Sequence, residues 1–191
     1  MTAICMTAAL SACSNDSPEA GRPETAPPVP TGSMTSEGTA PTSGPSEQSS
    51  APPDRPATAE GLSLSAAEAF LGHYLALLNF AYTTGDTSPL LAASDKGCVG
   101  CKGTADYLAK VNGKNGGLSG DYADRLVEVK EIFKGASGRI GGSLAVQSGN
   151  YVERSSPSAS PVQKKAHTET WQFTLSAAGN AWVMYEIEAD G

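Results

Sequence analysis

All 12 aromatic residues of this 191-residue chain lie beyond residue 62, and that asymmetry limits where a core can form. From Ser14 to Gly61 there is no Phe, Tyr or Trp, and ten of the 13 prolines fall there among Ser, Thr, Gly, Ala and Glu. Such a stretch cannot bury enough apolar surface to offset the entropy of ordering it. With Cys13 ahead of it, it reads as a disordered tether over residues 13–61. The 48 residues from Ser14 to Gly61 would span about 35–40 Å as a flexible coil and at most roughly 150 Å as polyproline II. The tandem Pro27-Pro28 and Pro52-Pro53 also suit a proline-reading groove, although a spacer is the simpler use of this composition. The 130 residues from Leu62 to Gly191 are an ordinary length for one α+β domain with one core.

Ahead of the tether, Met1 to Leu10 form an apolar run too short to span a bilayer, which takes about 20 apolar residues. The run closes on Leu10-Ser11-Ala12-Cys13. Small residues after an apolar segment mark a secretory cleavage site, and a Cys at the first mature position resembles the bacterial lipoprotein pattern. Residues 1–12 are therefore expected to leave as a signal peptide, and Cys13 to become a diacylated N-terminus. One acyl chain binds a bilayer marginally and two bind it stably, so the expected location is the extracytoplasmic face of the cell membrane. No Lys or Arg precedes the apolar run, although signal peptides normally begin with positive charge, which points to a translation start upstream of Met1. The competing reading is an ordinary cleaved signal with a chance Cys.

Charge divides the chain in the same place. The tether holds seven acidic side chains against Arg22 and Arg55, which is −5 of the chain's net −7. In the domain Lys and Arg are scattered among a slight excess of acids, which disfavours nucleic acid as a partner.

Within the domain, Ser65-Ala66-Ala67-Glu68 has the form of a capping box. The stripe Phe70, Leu71, Tyr74, Leu75, Leu78, Ala81 and Tyr82 follows at helical spacing, with Gly85 as the stop. Ser88 is expected to cap a short helix with Pro89 in its first turn and Leu90-Leu91 buried. A third helix is expected over about Thr104 to Val111. Past residue 124 the period becomes two. Strands are expected over Leu126–Phe133, over Ile140–Val152 with a bulge at Gly141-Gly142, over His167–Leu175, and over Trp182–Glu188 with Val183, Tyr185 and Ile187 on one face. Ser155 to Pro161 reads as an exposed hairpin loop. Helices followed by a strand meander give α+β, with a curved antiparallel sheet of about four strands packed on the helices.

Candidate chemistry is sparse. With Cys5 lost and Cys13 acylated, Cys98 and Cys101 remain as a pair outside the cytoplasm, where a disulfide is the expected state. A redox role for this C-x-x-C, or a zinc site completed by His73 and His167, is the alternative. His167 and Glu169 project from the same strand face as Trp171, and Asp86 follows the long helix, so these three form a weak acid–base candidate. The plainer reading places His167 and Glu169 at a solvated strand end and His73 on the helix flank. Tyr74, Tyr82, Tyr107, Trp171 and Trp182 read as core first and pocket second. No nucleophile elbow, phosphate-binding loop, dinucleotide fingerprint or metalloprotease helix is present, and no cofactor or metal is indicated.

The stretch Leu78-Asn79-Phe80-Ala81-Tyr82-Thr83-Thr84-Gly85-Asp86, the short helix after it, the curled strands and the Cys98/Cys101 pair resemble the nuclear-transport-factor-2-like (cystatin-like) cone over residues 65–188. Together with the Cys13 pattern, the chain resembles a family of uncharacterised actinobacterial lipoproteins known only as a domain of unknown function. Cones of that class host enzymes, ligand binders and adaptors alike, so the resemblance implies a fold and no activity. The expectation is a non-enzymatic, membrane-anchored binding or adaptor domain. Its partners would be the membrane through Cys13 and either a cell-wall or envelope protein or a small apolar ligand. The alternative is an isomerase- or dehydratase-like enzyme.

Overall fold

A computed structural model describes residues 51–189. The expected signal segment, Cys13 and the tether as far as residue 50 lie outside the described residues.

Helix α1, Leu64–Thr84, is the spine of the domain. Its cap is Ser63, whose hydroxyl accepts the Ala66 N–H at 3.0 Å. The expected box at Ser65 is thus displaced, because Ser63 still has the extended backbone that a cap needs while Ser65 already lies in the helix. The position three beyond Ser63 is Ala66, so no carboxylate returns the bond. Phe70, Leu71, Tyr74, Leu75, Leu78 and Ala81 are buried as their spacing predicts. The helix stops at Gly85, whose φ of +76° favours a residue without a Cβ.

His73 departs from expectation: it is buried, not flanking. The cause is a strap of chain assigned by composition to the tether. Ala57–Ala59 form a 3-10 turn with Ala59 fully buried, and Glu60 bridges Ala181 in the sheet. Arg55 donates to the Trp182 carbonyl at 3.1 Å and lies over the Phe70 ring. The folded part therefore begins before residue 62. The strap docks through backbone bonds, one Arg and small side chains, none of which registers as apolar bulk.

Helix α2, Ser88–Ala92, buries Leu90 but leaves Leu91 partly exposed. Its first N–H groups are served by Asp86, whose Oδ1 accepts the Ser88 N–H at 3.0 Å, and not by Ser88. Helix α3, Val99–Val111, starts five residues earlier than expected because Cys98 is its cap, with Sγ accepting the Cys101 N–H at 3.1 Å.

Seven strands follow: β1 Leu118–Gly120, β2 Arg125–Lys134, β3 Ile140–Ser148, β4 Tyr151–Glu153, β5 Val162–Lys164, β6 His167–Ala178 and β7 Ala181–Ala189. They form two open antiparallel sheets, β2-β3-β6-β7 and β1-β4-β5. The small sheet was not expected, since three-residue strands are too short to show alternation. The single run expected over Ile140–Val152 breaks at Gly149-Asn150, where the chain changes sheet. There the Asn150 carbonyl accepts from the Asp121 N–H, and its side-chain Oδ1 accepts from the Ala166 N–H.

The bulges also fall elsewhere than expected. Gly141 and Gly142 pair regularly with β6, while β2 carries two register shifts against β3. Each shift adds one residue, so the inward side chains of β2 are Leu126, Val129 and Ile132, three apart, and Val127 and Phe133 face solvent. Bulges bend a strand and increase its twist, which curls the sheet toward α1. Gly142 serves that curl by closeness: a Cβ there would collide with the Glu131 carbonyl oxygen and come within 2.8 Å of the Phe173 ring. A third shift, between β6 and β7, leaves Tyr185 without a partner. It reverses parity, so Trp182, Met184 and Ile187 are buried in place of the expected Val183-Tyr185-Ile187 face.

Candidate functional site

The core between α1 and the sheet is filled by Phe70, Tyr74, Phe173, Leu175 and Trp182. Trp171, further along β6, stays only partly buried. It forms one wall of a cavity of about 340 Å³ with Leu78 and Tyr82 of α1, Tyr107 of α3 and Ile187 of β7. The walls are mainly apolar and include three aromatic rings, and two carboxylates also line them: Asp124, from the residue before β2, and Glu188 of β7.

Asp124 is held from three directions. The Asn79 side chain, on α1, clamps its backbone: Nδ2 donates to the Asp124 carbonyl at 2.7 Å, and Oδ1 accepts the Asp124 N–H at 2.8 Å. The Ser148 hydroxyl at the end of β3 donates to Asp124 Oδ1 at 2.5 Å. The residue is only 7% exposed. Burial raises its pKa above the ordinary carboxylate value, and the Glu169 charge adds to that. The Ser148 bond, His167 and Arg125 act in the opposite direction. Burial likewise raises the Tyr82 and Tyr107 phenols, helped by the negative charge of Asp124 and Glu153, and Tyr107 also hydrogen-bonds Glu153. Both stay neutral at ordinary pH.

His167 and Glu169 do share a face with Trp171. Glu169 accepts from the Trp171 indole N–H at 2.7 Å and lies 3.8 Å from His167. The register sets His167 opposite Ser148 and Glu169 opposite Val146, so both stand at the end of the sheet that holds Asp124. His167 remains half-exposed, and its Nδ1 lies 3.1 Å from the Lys165 carbonyl. Asp86 is exposed at the start of α2, and the hydrogen bond from the Ser88 N–H lowers its pKa. That is a capping role. Cys98 and Cys101 are joined as a disulfide in the first turn of α3, both buried. Burial keeps them from exchange partners and fixes the helix that carries Tyr107. Among the described residues no three His, Cys, Asp or Glu side chains gather as a metal cluster.

Asp124 itself escapes the sequence reading, because Asp121-Tyr122-Ala123-Asp124-Arg125 looks like a solvated turn. The one usable signal is Asn79, a polar residue between Leu78 and Phe80 on a helix facing the core. A half-buried amide needs partners, but nothing in the chain says which.

No curated protein matches the chain. Among solved structures, the intermembrane space region of the chloroplast protein ARC6 is similar with a TM-score of 0.47 and 15% identity, over 66% of this chain and 95% of that one. A family of unknown function, DUF6318, matches residues 39–188, which span the strap, the three helices and the strands as far as the end of β7. The chain belongs to the DUF6318 family.

Proposed function

We propose that this protein is a lipid-anchored, extracytoplasmic binding domain that takes a small, mainly apolar molecule into the cavity above Asp124. One observation carries the reading: beside the partly buried Trp171, between the helices and the sheet, lies a volume of about 340 Å³ walled in part by three aromatic rings. That is within the range of small-molecule sites, roughly 300–1,000 Å³ with apolar walls and few polar groups. The anchor is supported by Leu10-Ser11-Ala12-Cys13 and by the proline-rich stretch after it, which would let the domain search the wall layer. The nuclear-transport-factor-2-like cone and an actinobacterial lipoprotein origin belong to the same reading. A cell-wall or envelope protein would be the source of the ligand or its acceptor.

Native mass spectrometry of the full chain recovered from the producing cell tests the cavity. A small-molecule adduct is expected, and it should be absent from Thr104→Trp, which fills the volume from α3. A bare mass for the wild type, or an adduct that survives the filling, refutes the reading. Membrane fractionation of Cys13→Ala tests the anchor, which fails if the variant stays bound.

The raised pKa of Asp124 favours a second reading, in which that carboxyl moves a proton on the bound molecule. Incubation in deuterated water separates the two. Asp124-dependent deuterium incorporation into the bound molecule supports catalysis, and its absence leaves binding alone.

A further inference from the structure

We infer that the cavity is built for an organic cation: an amine with an apolar body, whose ammonium pairs with Asp124 while its body lies against Tyr82, Tyr107 and Trp171. This rests on the cavity being a ligand site, and three features of that site carry it.

The first is the carboxylate. Asp124 is 7% exposed, and Oδ1 is occupied by Ser148. Among the described residues Oδ2 accepts no hydrogen bond, and no fully buried side-chain oxygen lacks a partner, so Oδ2 reaches the open volume that Asp124 lines. A charged acceptor that is largely desolvated and open only toward the cavity gains from a donor that arrives there.

The second is the lack of a cation inside the protein to do so. No Lys, Arg or His is among the described residues lining the cavity, whereas Glu188 is. The nearby basic side chains have other partners. Arg125 pairs with Asp121 at 2.7 Å, His167 faces Glu169 at 3.8 Å, and Lys164 faces Glu153 at 4.0 Å. An anionic ligand would add repulsion from Asp124 and Glu188. A neutral hydroxyl would satisfy Oδ2 but bring no positive charge to the carboxylate.

The third is the wall. Indole and phenol faces attract an ammonium through their quadrupoles as well as by apolar contact, more strongly where water is excluded. Three such rings around one buried carboxylate form a site that prefers charge and bulk together.

Titration calorimetry of the full chain with three probes of one shape tests this: phenethylamine, 2-phenylethanol and 3-phenylpropanoate. Phenethylamine should bind at least about tenfold more tightly than the alcohol, the margin expected of one charge-assisted hydrogen bond, and the carboxylate should not bind. In Asp124→Asn, whose amide oxygen still accepts from Ser148, the amine should lose its advantage over the alcohol. If the alcohol or the carboxylate matches the amine, or if the amine keeps its advantage in Asp124→Asn, the cation inference fails and the apolar cavity stands. If none of the three binds the wild type at millimolar concentration, the ligand-site reading fails with it. A circular-dichroism melt of the variant establishes that it is folded before titration.

Discussion

Replacing Asn79 by Ala should cost stability and loosen the cavity together, because one amide holds both α1 and the chain before β2. The side chain makes two bonds to a single residue, 2.7 Å to the Asp124 carbonyl and 2.8 Å from its N–H. Each is worth about 1 kcal/mol net, and a backbone group left buried without a partner costs about 1–3 kcal/mol, so the loss is about 2 kcal/mol if water enters and more if it does not. Alanine is the better helix former by roughly 0.5 kcal/mol, which offsets part of this. The expected net loss is about 1.5–3 kcal/mol, which for a domain of this size lowers Tm by roughly 5–10 °C. Urea unfolding followed by tryptophan fluorescence reads it, since Trp182 is buried beside α1. Asn79→Asp, which keeps the acceptor but not the donor, should fall between the two. A loss below about 0.5 kcal/mol for Asn79→Ala would refute the clamp, since it would mean that the Asp124 backbone finds equal partners elsewhere.

Gly142→Ala forces a Cβ against the Glu131 carbonyl and the Phe173 ring, and overpacking of this kind costs about 1–3 kcal/mol. An unchanged urea midpoint would show that the sheet does not depend on that close approach. Removing the disulfide with Cys98→Ala and Cys101→Ala should lower stability by about 2 kcal/mol, the entropy of closing so short a loop. Reduction of the wild type should shift its midpoint equally, and two coincident midpoints before and after reduction would count against it. The raised pKa of Asp124 predicts a pH signature. The native state holds that proton more tightly than the unfolded chain, so its stabilising effect is complete below the ordinary carboxylate pKa and is lost as pH rises through the raised value. The stability of the wild type minus that of Asp124→Asn should therefore fall as pH rises from the ordinary carboxylate pKa through the raised value. The charged neighbours Glu169, His167 and Arg125 and the phenols Tyr82, Tyr107 and Tyr151 are common to both proteins. A flat or rising difference would contradict the burial of the carboxylate.

Much of the domain was readable in advance where one segment's own pattern decides its structure. The stripe from Phe70 to Ala81 could be buried only as a helix, Gly85 marked its end, and the alternation from His167 to Leu175 placed Phe173 and Leu175 inside. Prediction failed where a residue's neighbour comes from elsewhere in the chain. Leu126, Val129 and Ile132 look wrongly spaced for a strand until two bulges are known, and Val183 and Tyr185 look inward until a third bulge reverses their parity. A bulge is a property of two strands in register, so alternation along either one does not reveal it. The strap at residues 52–60 was lost for a similar reason: Ala59 is buried by what it docks on, not by its own hydrophobicity.

The candidate site shows the same division. Its aromatic walls, Tyr82, Tyr107 and Trp171, could be named as core or pocket from spacing alone, but not as which. Asp124 could not be named at all, since its importance depends on Asn79, 45 positions earlier, and Ser148, 24 positions later. The sequence by itself determined where the aromatic residues gather, the α+β class, the helices and the close spacing of Cys98 and Cys101. Those follow from composition and from periodicities of one segment at a time. Only the tertiary structure decided that a carboxylate lies buried against an aromatic cavity without a cation, because desolvation and charge balance depend on where distant residues meet.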